Sequence, residues 1–425
     1  MEKVLIITYY WPPAGGPGVQ RWLKFVKYLR DYGIEPVVYV PENPHYPLLD
    51  EGLSVEIPRN LEIIRKPIFE PYSIASLFSK KDTEKISSGL IPDEEKQGLL
   101  QKMMLYIRGN YFVPDARKFW VKPSVEFLLE YLEDNTIRTV ITTGPPHSLH
   151  LIGMGLKEEL DIRWIADFRD PWTSIGYHDQ LKLTSTTKEI HKEMESRLLK
   201  AADQIITTSF TTKREFKEIT TTPITVITNG YDVEKIDRPS LDEHFSISHI
   251  GSLLAGRNPQ NLWKALAELI SENEDFRNDF RLKLVGAVGE GVLESIKSAG
   301  LEASLELCGY VSHKRALEMQ QASQLLLLIE IDSVETTGII PGKLFEYMAA
   351  NRPIVAVGPA NADIQKIITE TNTGKFFGYS EKNEVKEFIL SSYNSFKQGE
   401  LKTYPIGLQK YSRKALTGEL AKLLK

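Results

Sequence analysis

Short, nearly unbroken apolar runs alternate with longer amphipathic stretches along almost the whole chain. The first series of runs is Val4–Thr8, Pro36–Val40, Leu61–Arg65, Thr139–Thr143, Trp164–Asp167, Gln204–Thr207 and Thr225–Ile227. A strand with one wet face alternates apolar and polar residues, whereas a continuous apolar run suits a parallel strand covered on both faces. Helical patterns at Val19–Tyr32, Ser124–Glu133, Ser148–Glu159 and Thr187–Ala201 fall between the runs. Repeated strand–helix alternation means βαβ units and a doubly wound α/β sheet.

A second series follows the turn signal Asn229-Gly230-Tyr231-Asp232 and Pro239. Its runs are Phe245–Gly251, Leu282–Val285, Leu305–Cys308, Leu325–Glu330 and Ile354–Val357. Helical patterns at Pro259–Ser271, Glu290–Ala299, Lys314–Gln321, Gly342–Ala350, Ala362–Glu370 and Asn383–Phe396 accompany them. Two Rossmann-like domains are expected, at 1–230 and 240–400, with a helical tail over 401–425 packing back across both. The 425 residues suffice for two such domains, each with its own core.

Composition narrows the function classes. With 42% hydrophobic and 26% charged residues the chain is not broadly disordered. Its net charge of −5 lacks the basic excess of a dedicated nucleic-acid binder. The single cysteine, Cys308, excludes an internal disulfide or a Cys-based zinc cluster and suits a reducing compartment. Val4–Ile7 reads as a first strand rather than a signal peptide, and Leu325–Ile329 is the longest aliphatic run. A soluble, cytoplasmic protein is the expectation.

Residues 70–122 interrupt the alternation. They hold a charged, small-residue patch at Ser79–Ser88, then Met103, Met104, Tyr106 and Trp120 among Lys102, Arg108, Arg117, Lys118 and Lys122. A long irregular insertion is commonly functional. Two readings stand: a helical subdomain with a buried apolar face, or an acceptor-binding or membrane-surface patch, since an apolar face flanked by Lys and Arg suits anionic headgroups.

Five loops after strand ends can carry chemistry. Pro12-Pro13-Ala14-Gly15-Gly16-Pro17-Gly18 enters a helix and is either a tight turn or a ligand loop. It is not the dinucleotide fingerprint, because Arg21 stands where the third glycine should pack. The loop Gly144–His150 places His147 just before an expected N-cap, Ser148; His150 lies inside the helix and reads as structural. In Asp167-Phe168-Arg169-Asp170-Pro171, Arg169 with either aspartate can form a loop-holding ion pair, and Asp170 is the better partner for a ligand hydroxyl. Gly251-Ser252 through Arg257 offers backbone donors and a guanidinium to a diphosphate. Gly338-Ile339-Ile340-Pro341-Gly342-Lys343 enters a helix whose first turn suits an anion. On that helix Glu346 leans toward the N-terminus, within reach of ribose hydroxyls.

Together, Ile7-Thr8-Tyr9-Tyr10-Trp11-Pro12-Pro13-x-Gly15-Gly16, Ile227-Thr228-Asn229-Gly230-x-Asp232 and Pro341-x-Lys343-x-x-Glu346-Tyr347 resemble the GT-B glycosyltransferases of family 4, over essentially the whole length. The resemblance implies two facing Rossmann-like domains with a cleft between them. It implies a nucleotide-sugar donor on the C-terminal domain, a glycan or lipid-linked acceptor on the N-terminal one, and metal-independent retaining transfer of a hexose-type sugar. No cofactor beyond the donor is implied. By position, Arg257 and Lys343 face the diphosphate with the amides of Ile339–Pro341, and Glu346 holds ribose. Gly309, Tyr310 and Val311 line the base, Gly15 and Gly16 serve the acceptor side, and His147 is the cleft histidine. Two positions depart from the family pattern: Gly338 stands where the first glutamate of E-x7-E belongs, with Glu335 as a stand-in, and Ser252 replaces a frequent arginine. A bacterial surface-polysaccharide role, at the inner face of the plasma membrane, follows from the resemblance alone. The competing readings are a nucleotide-sugar epimerase and a non-catalytic sugar-nucleotide-binding subunit.

Overall fold

The computed structural model describes residues 1–70, 99–174, 181–232, 239–254 and 256–425. The chain divides into two compact units, Met1–Asn229 with Arg413–Lys425, and Gly230–Ser412. The charged patch expected at Ser79–Ser88 lies outside the described residues.

In the first unit the elements are β1 (Glu2–Ile7), α1 (Pro17–Leu29), β2 (Ile34–Pro41), β3 (Glu62–Lys66), α2 (Leu99–Tyr111) and α3 (Val121–Asp134). They continue as β4 (Thr139–Gly144), α4 (Ser148–Glu159), β5 (Arg163–Phe168), α5 (Ser185–Ala201), β6 (Gln204–Thr207), α6 (Phe210–Lys217) and β7 (Ile224–Val226). The seven strands pair in the order β3-β2-β1-β4-β5-β6-β7, all parallel. The first strand shows why its run is unbroken. Val4 and Ile6 enter one core with Trp22, Leu23 and Val26 of α1, while Leu5 and Ile7 enter another with Leu128 of α3 and Ile152 of α4. Side chains of a strand alternate between faces, so two buried faces require apolar residues at every position.

The second unit holds β8 (Phe245–Ile250), α7 (Gln260–Glu272), α8 (Glu274–Asp279), β9 (Phe280–Val285), α9 (Glu290–Ser298), β10 (Leu305–Gly309) and α10 (His313–Ala322). It ends with β11 (Leu325–Ile329), α11 (Gly342–Ala350), β12 (Ile354–Gly358), α12 (Asp363–Thr371), β13 (Gly374–Gly378) and α13 (Lys382–Lys397). Its strands run β10-β9-β8-β11-β12-β13, again all parallel. Counted from each unit's own first strand, both sheets share the order 3-2-1-4-5-6, with a seventh strand added at the edge of the first, so each has one point where the chain reverses direction across the sheet. Ligands bind open α/β sheets at that point, beyond the carboxyl ends of the strands.

Strand β13 was not among the expected runs. It is an edge strand, Gly-Lys-Phe-Phe-Gly, in which only Phe377 is fully buried, so it lacks the apolar signature of its neighbours. The tail also differs from expectation. The second unit runs to Ser412, and only α14 (Arg413–Leu424) returns, packing Leu416, Leu420 and Leu424 into the α1 side of the first unit's core. Burying each such leucine stabilises that face by about 1.5–3 kcal/mol.

Candidate active site

In the second unit the reversal point lies between β8 and β11. Ladder pairing between these strands is confined to Ile247 with Leu325 and Ser248 with Leu326. Beyond it, side chains take over the backbone groups that the parted strands leave. The His249 Nδ1 lies 2.9 Å from the Leu327 carbonyl. Tyr347 of α11 accepts a hydrogen bond from the Ile250 N–H at 2.8 Å and donates one to its carbonyl at 3.3 Å. Buried backbone groups must be paired, so these two side chains hold the crevice open without leaving orphans.

Charge gathers at its mouth. Gly251 follows β8 with φ +124°, a backbone disfavoured for other residues, and a Cβ there would sit 2.6 Å from the Lys343 Nζ. The glycine therefore lets the lysine amine lie against the loop. The Arg257 Nη2 lies 3.4 Å from Oε2 of Glu330, the residue directly after β11. Burial pulls the Lys343 amine below its usual range; Glu330 opposes the shift and Arg257 adds to it. Burial pushes the Glu330 carboxyl up, against the pull of Arg257 and Lys343. His249 is fully buried and pushed down to about 3, first by burial and then by Lys343, so it stays neutral beneath the cations.

Helix α11 begins after Pro341 with no side-chain cap; the Leu344 N–H turns back to the Pro341 carbonyl at 3.0 Å, which leaves the amides before it for a ligand. Gly338 and Ile340 are half-buried in the loop leading to it, and Ile339 is 43% exposed. One turn inside, Glu346 accepts a hydrogen bond from Gln320 Nε2 at 3.0 Å. Ser252 is exposed beside Gly251. The Gly309 carbonyl accepts from Gly286 at 2.7 Å along the same strand-end edge, whereas Tyr310 projects into solvent at 95% exposure and Val311 is half-buried. Glu335 takes its hydrogen bond from Ser333, two residues away. Glu330 is the residue that sequence reasoning missed. It was legible only as the last member of an apolar run, a place where a carboxylate must find cations.

In the first unit the reversal point lies between β1 and β4. Gly16 is the N-cap of α1, with Pro17 in its first turn, and Gly15 packs close to Leu48 and Asp50. Arg21 explains the failed fingerprint. Its guanidinium turns inward and pairs with Asp167 at 2.9 Å, and Asp167 also accepts from Trp22 Nε1 at 2.9 Å and Thr143 Oγ1 at 2.8 Å. The Asp167 carboxylate is thus held by Arg21, not by Arg169 as one sequence reading allowed. Arg169 instead donates to the Pro145 carbonyl and lies 5.8 Å over the Tyr10 ring. A Cβ on Gly18 would fall 1.5 Å from the Arg169 Nη1, so the guanidinium occupies the space that glycine leaves. Burial lowers the affinity of Arg169 for its proton, against the pull of Asp170 and Asp167. Asp170 itself is exposed next to it.

His147, not Ser148, is the N-cap of α4. The helix end is closed by a distant carboxylate, Asp115, which accepts from the Ser148 N–H at 2.9 Å and its hydroxyl at 2.8 Å. His147 stacks on Trp172 with centroids 5.0 Å apart and planes 2° from parallel. His150 is buried, shares a 2.8 Å hydrogen bond with Thr142 Oγ1, and is pushed down to about 3 by burial. A cavity of about 100 Å³ opens here, lined by Tyr10 and His147 together with Arg108 and Phe112 of the inserted segment. The insertion therefore forms one wall of the first unit's candidate site. Its α2 also exposes Met103, Tyr106, Ile107 and Tyr111, followed by Phe119, so its apolar face is not simply buried.

Comparison with known proteins bears on both units. Residues 244–393 match the family model described as glycosyl transferases group 1. No match is found among curated proteins. Among solved structures, HepE from Anabaena in complex with UDP is similar at TM-score 0.60 and 13% identity, covering 100% of this chain and 99% of that one. A glycosyltransferase from Rickettsia africae is similar at TM-score 0.59 and 11% identity, with 99% and 97% covered. A protein from Listeria monocytogenes described as a putative UDP-N-acetylglucosamine 2-epimerase is similar at 0.55 and 12%, with 100% and 95% covered. At such identities the likeness shows the fold, two Rossmann-like units of the GT-B kind.

Proposed function

We propose, for a chain whose residues 244–393 form a group 1 glycosyltransferase domain on a GT-B fold, that it moves a hexose-type sugar from a nucleoside-diphosphate sugar to a glycan or lipid-linked acceptor, with retention of configuration. The observation that carries this reading is the meeting of Arg257, Lys343 and the uncapped α11 N-terminus at the reversal point of the second unit. Loss of the nucleoside diphosphate leaves negative charge on its phosphates, and prearranged cations and amides stabilise that charge as it develops. Glu346 is placed one turn inside α11 to accept from ribose, with Gln320 fixing its carboxylate. Tyr10, His147 and Arg169 supply the acceptor side. His147, which lines the same cavity, and Asp170 are assigned to the acceptor hydroxyl. No partner beyond donor and acceptor is needed for the chemistry.

Calorimetric titration with UDP-, GDP- and ADP-sugars tests the donor side, and the anomeric configuration of the product, read by NMR, tests retention. Binding of none of the three defeats the reading. An epimerase converts its nucleotide sugar with no acceptor present, and product analysis without acceptor separates the two. The exposed apolar residues of α2, beside Lys118 and Lys122, favour contact with an anionic membrane surface. Such contact predicts salt-sensitive binding to phosphatidylglycerol vesicles, and no binding at low salt removes it.

A further inference from the structure

Glu330 is the feature of the second unit that diphosphate binding leaves unexplained. A site built for an anion has placed a carboxylate behind its two cations. The backbone there is pinned from both sides: the Glu330 N–H donates to Val357 of β12 at 2.9 Å, and its carbonyl accepts from the Tyr379 hydroxyl at 2.8 Å. The side chain is 3% exposed, while that of Arg257 is 27% exposed, so an approaching ligand meets the guanidinium before the carboxylate. Their 3.4 Å separation is at the long end for a hydrogen bond, a contact that guides the guanidinium without locking it.

We propose that Glu330 is a built-in counter-anion of the diphosphate site, holding Arg257 and Lys343 in place before the ligand arrives and opposing retention of the diphosphate afterwards. This rests on the donor-site reading given above. Two half-buried cations without an anion are costly; Arg257 meets the buried Glu330 carboxylate at 3.4 Å, and the same carboxylate favours the charged form of Lys343. Glu330 thus offsets one of the two positive charges that the incoming ligand meets. His249 adds none, being neutral. Glu346 acts on the same lysine from within α11. A buried carboxylate is weakly screened, so its repulsion is felt by a diphosphate seated on the cations. Glu330 is a positioning residue, acting through Arg257 and Lys343.

The test is the dissociation constant of inorganic pyrophosphate and of UDP, GDP and ADP for the full chain. Glu330→Gln removes the charge and keeps the shape, so affinity for pyrophosphate and for whichever nucleotide binds rises about tenfold, equivalent to about 1.4 kcal/mol. Glu330→Met, also neutral and of similar length, gives the same direction should the glutamine variant fail to fold. Glu330→Asp keeps the charge on a shorter arm and stays closer to the parent than either neutral variant. A merely structural role predicts the reverse order, with the shortened aspartate most disturbed. Equal or weaker binding by folded neutral variants overturns the proposal while the donor site stands. Absence of all binding in the parent chain, or binding unaffected by Arg257→Ala, overturns the donor-site reading itself.

Discussion

The Arg21 guanidinium and the Asp167 carboxylate meet at 2.9 Å in the interior of the first unit, joining the helix after the first glycine loop to the end of β5. Both side chains are almost wholly buried, and Trp22 and Thr143 bind the same carboxylate. Removing one partner from a buried ion pair leaves the other uncompensated, which typically costs about 3–5 kcal/mol. Asp167→Ala is therefore expected to destabilise the first unit by that order. Urea unfolding followed by tryptophan fluorescence measures it; a loss below about 1 kcal/mol contradicts the role assigned to the pair.

Arg257→Ala and Lys343→Ala each remove a cation from the proposed diphosphate site. Loss of one prearranged stabiliser of developing charge typically costs about 100–1,000-fold in rate. Transfer measured with the donor identified by calorimetry is expected to fall by that order in each variant, with the fold retained by circular dichroism. Unchanged transfer would remove both residues from the mechanism.

Gly251→Ala is expected to act twice. The residue sits at φ +124°, and the added methyl would lie 2.6 Å from the Lys343 Nζ. Backbone strain of this kind costs about 1–3 kcal/mol, and the displaced amine weakens pyrophosphate binding. Thermal unfolding and pyrophosphate titration read the two effects separately. A substitution that changes neither shows that the lysine does not rest on the glycine.

Buried histidines make stability fall in acid. His150 and His249 are held near 3 in the folded protein, against about 6.5 when unfolded. Above pH 6.5 both states carry neutral imidazoles, and these groups add no pH dependence. As pH drops below 6.5 the unfolded chain takes up protons that the folded one refuses, so stability declines until the folded values near 3 are reached. Each histidine contributes up to about 1.4 kcal/mol per pH unit within that window. Urea midpoints at pH 7 and pH 5 measure the decline, and it is expected to be shallower in His249→Gln and in His150→Gln. Equal slopes in parent and variants would show that these rings are not the groups responsible.

Much of the fold was legible because strands covered on both faces must be apolar wherever both faces are buried, as Val4–Ile7 of β1 and the whole of β11 are. Where that pressure relaxes the signal fades. Edge strand β13 buries only one phenylalanine fully, and α6 buries mainly threonines and Phe216, so neither stood out. Local sequence also marked Gly251, Arg257 and Lys343, because glycine-punctuated loops between strand and helix are the places where backbone amides and cations can face an anion. It mistook the α4 cap for Ser148, since the carboxylate that closes that helix comes from Asp115, more than thirty residues away.

By itself the sequence determined two parallel α/β sheets, the loops at their strand ends and the residue types those loops offer a ligand. These are local matters, decided by periodicity and by glycine and proline within a few residues. Only the tertiary structure decided which charges face each other. Arg21 went inward to Asp167 rather than failing as a glycine, Arg169 settled on Pro145 in the space left by Gly18, and Glu330 came to lie behind Arg257. A buried charge must find its partner wherever the chain brings one, and that search crosses distances along the sequence that no local pattern records.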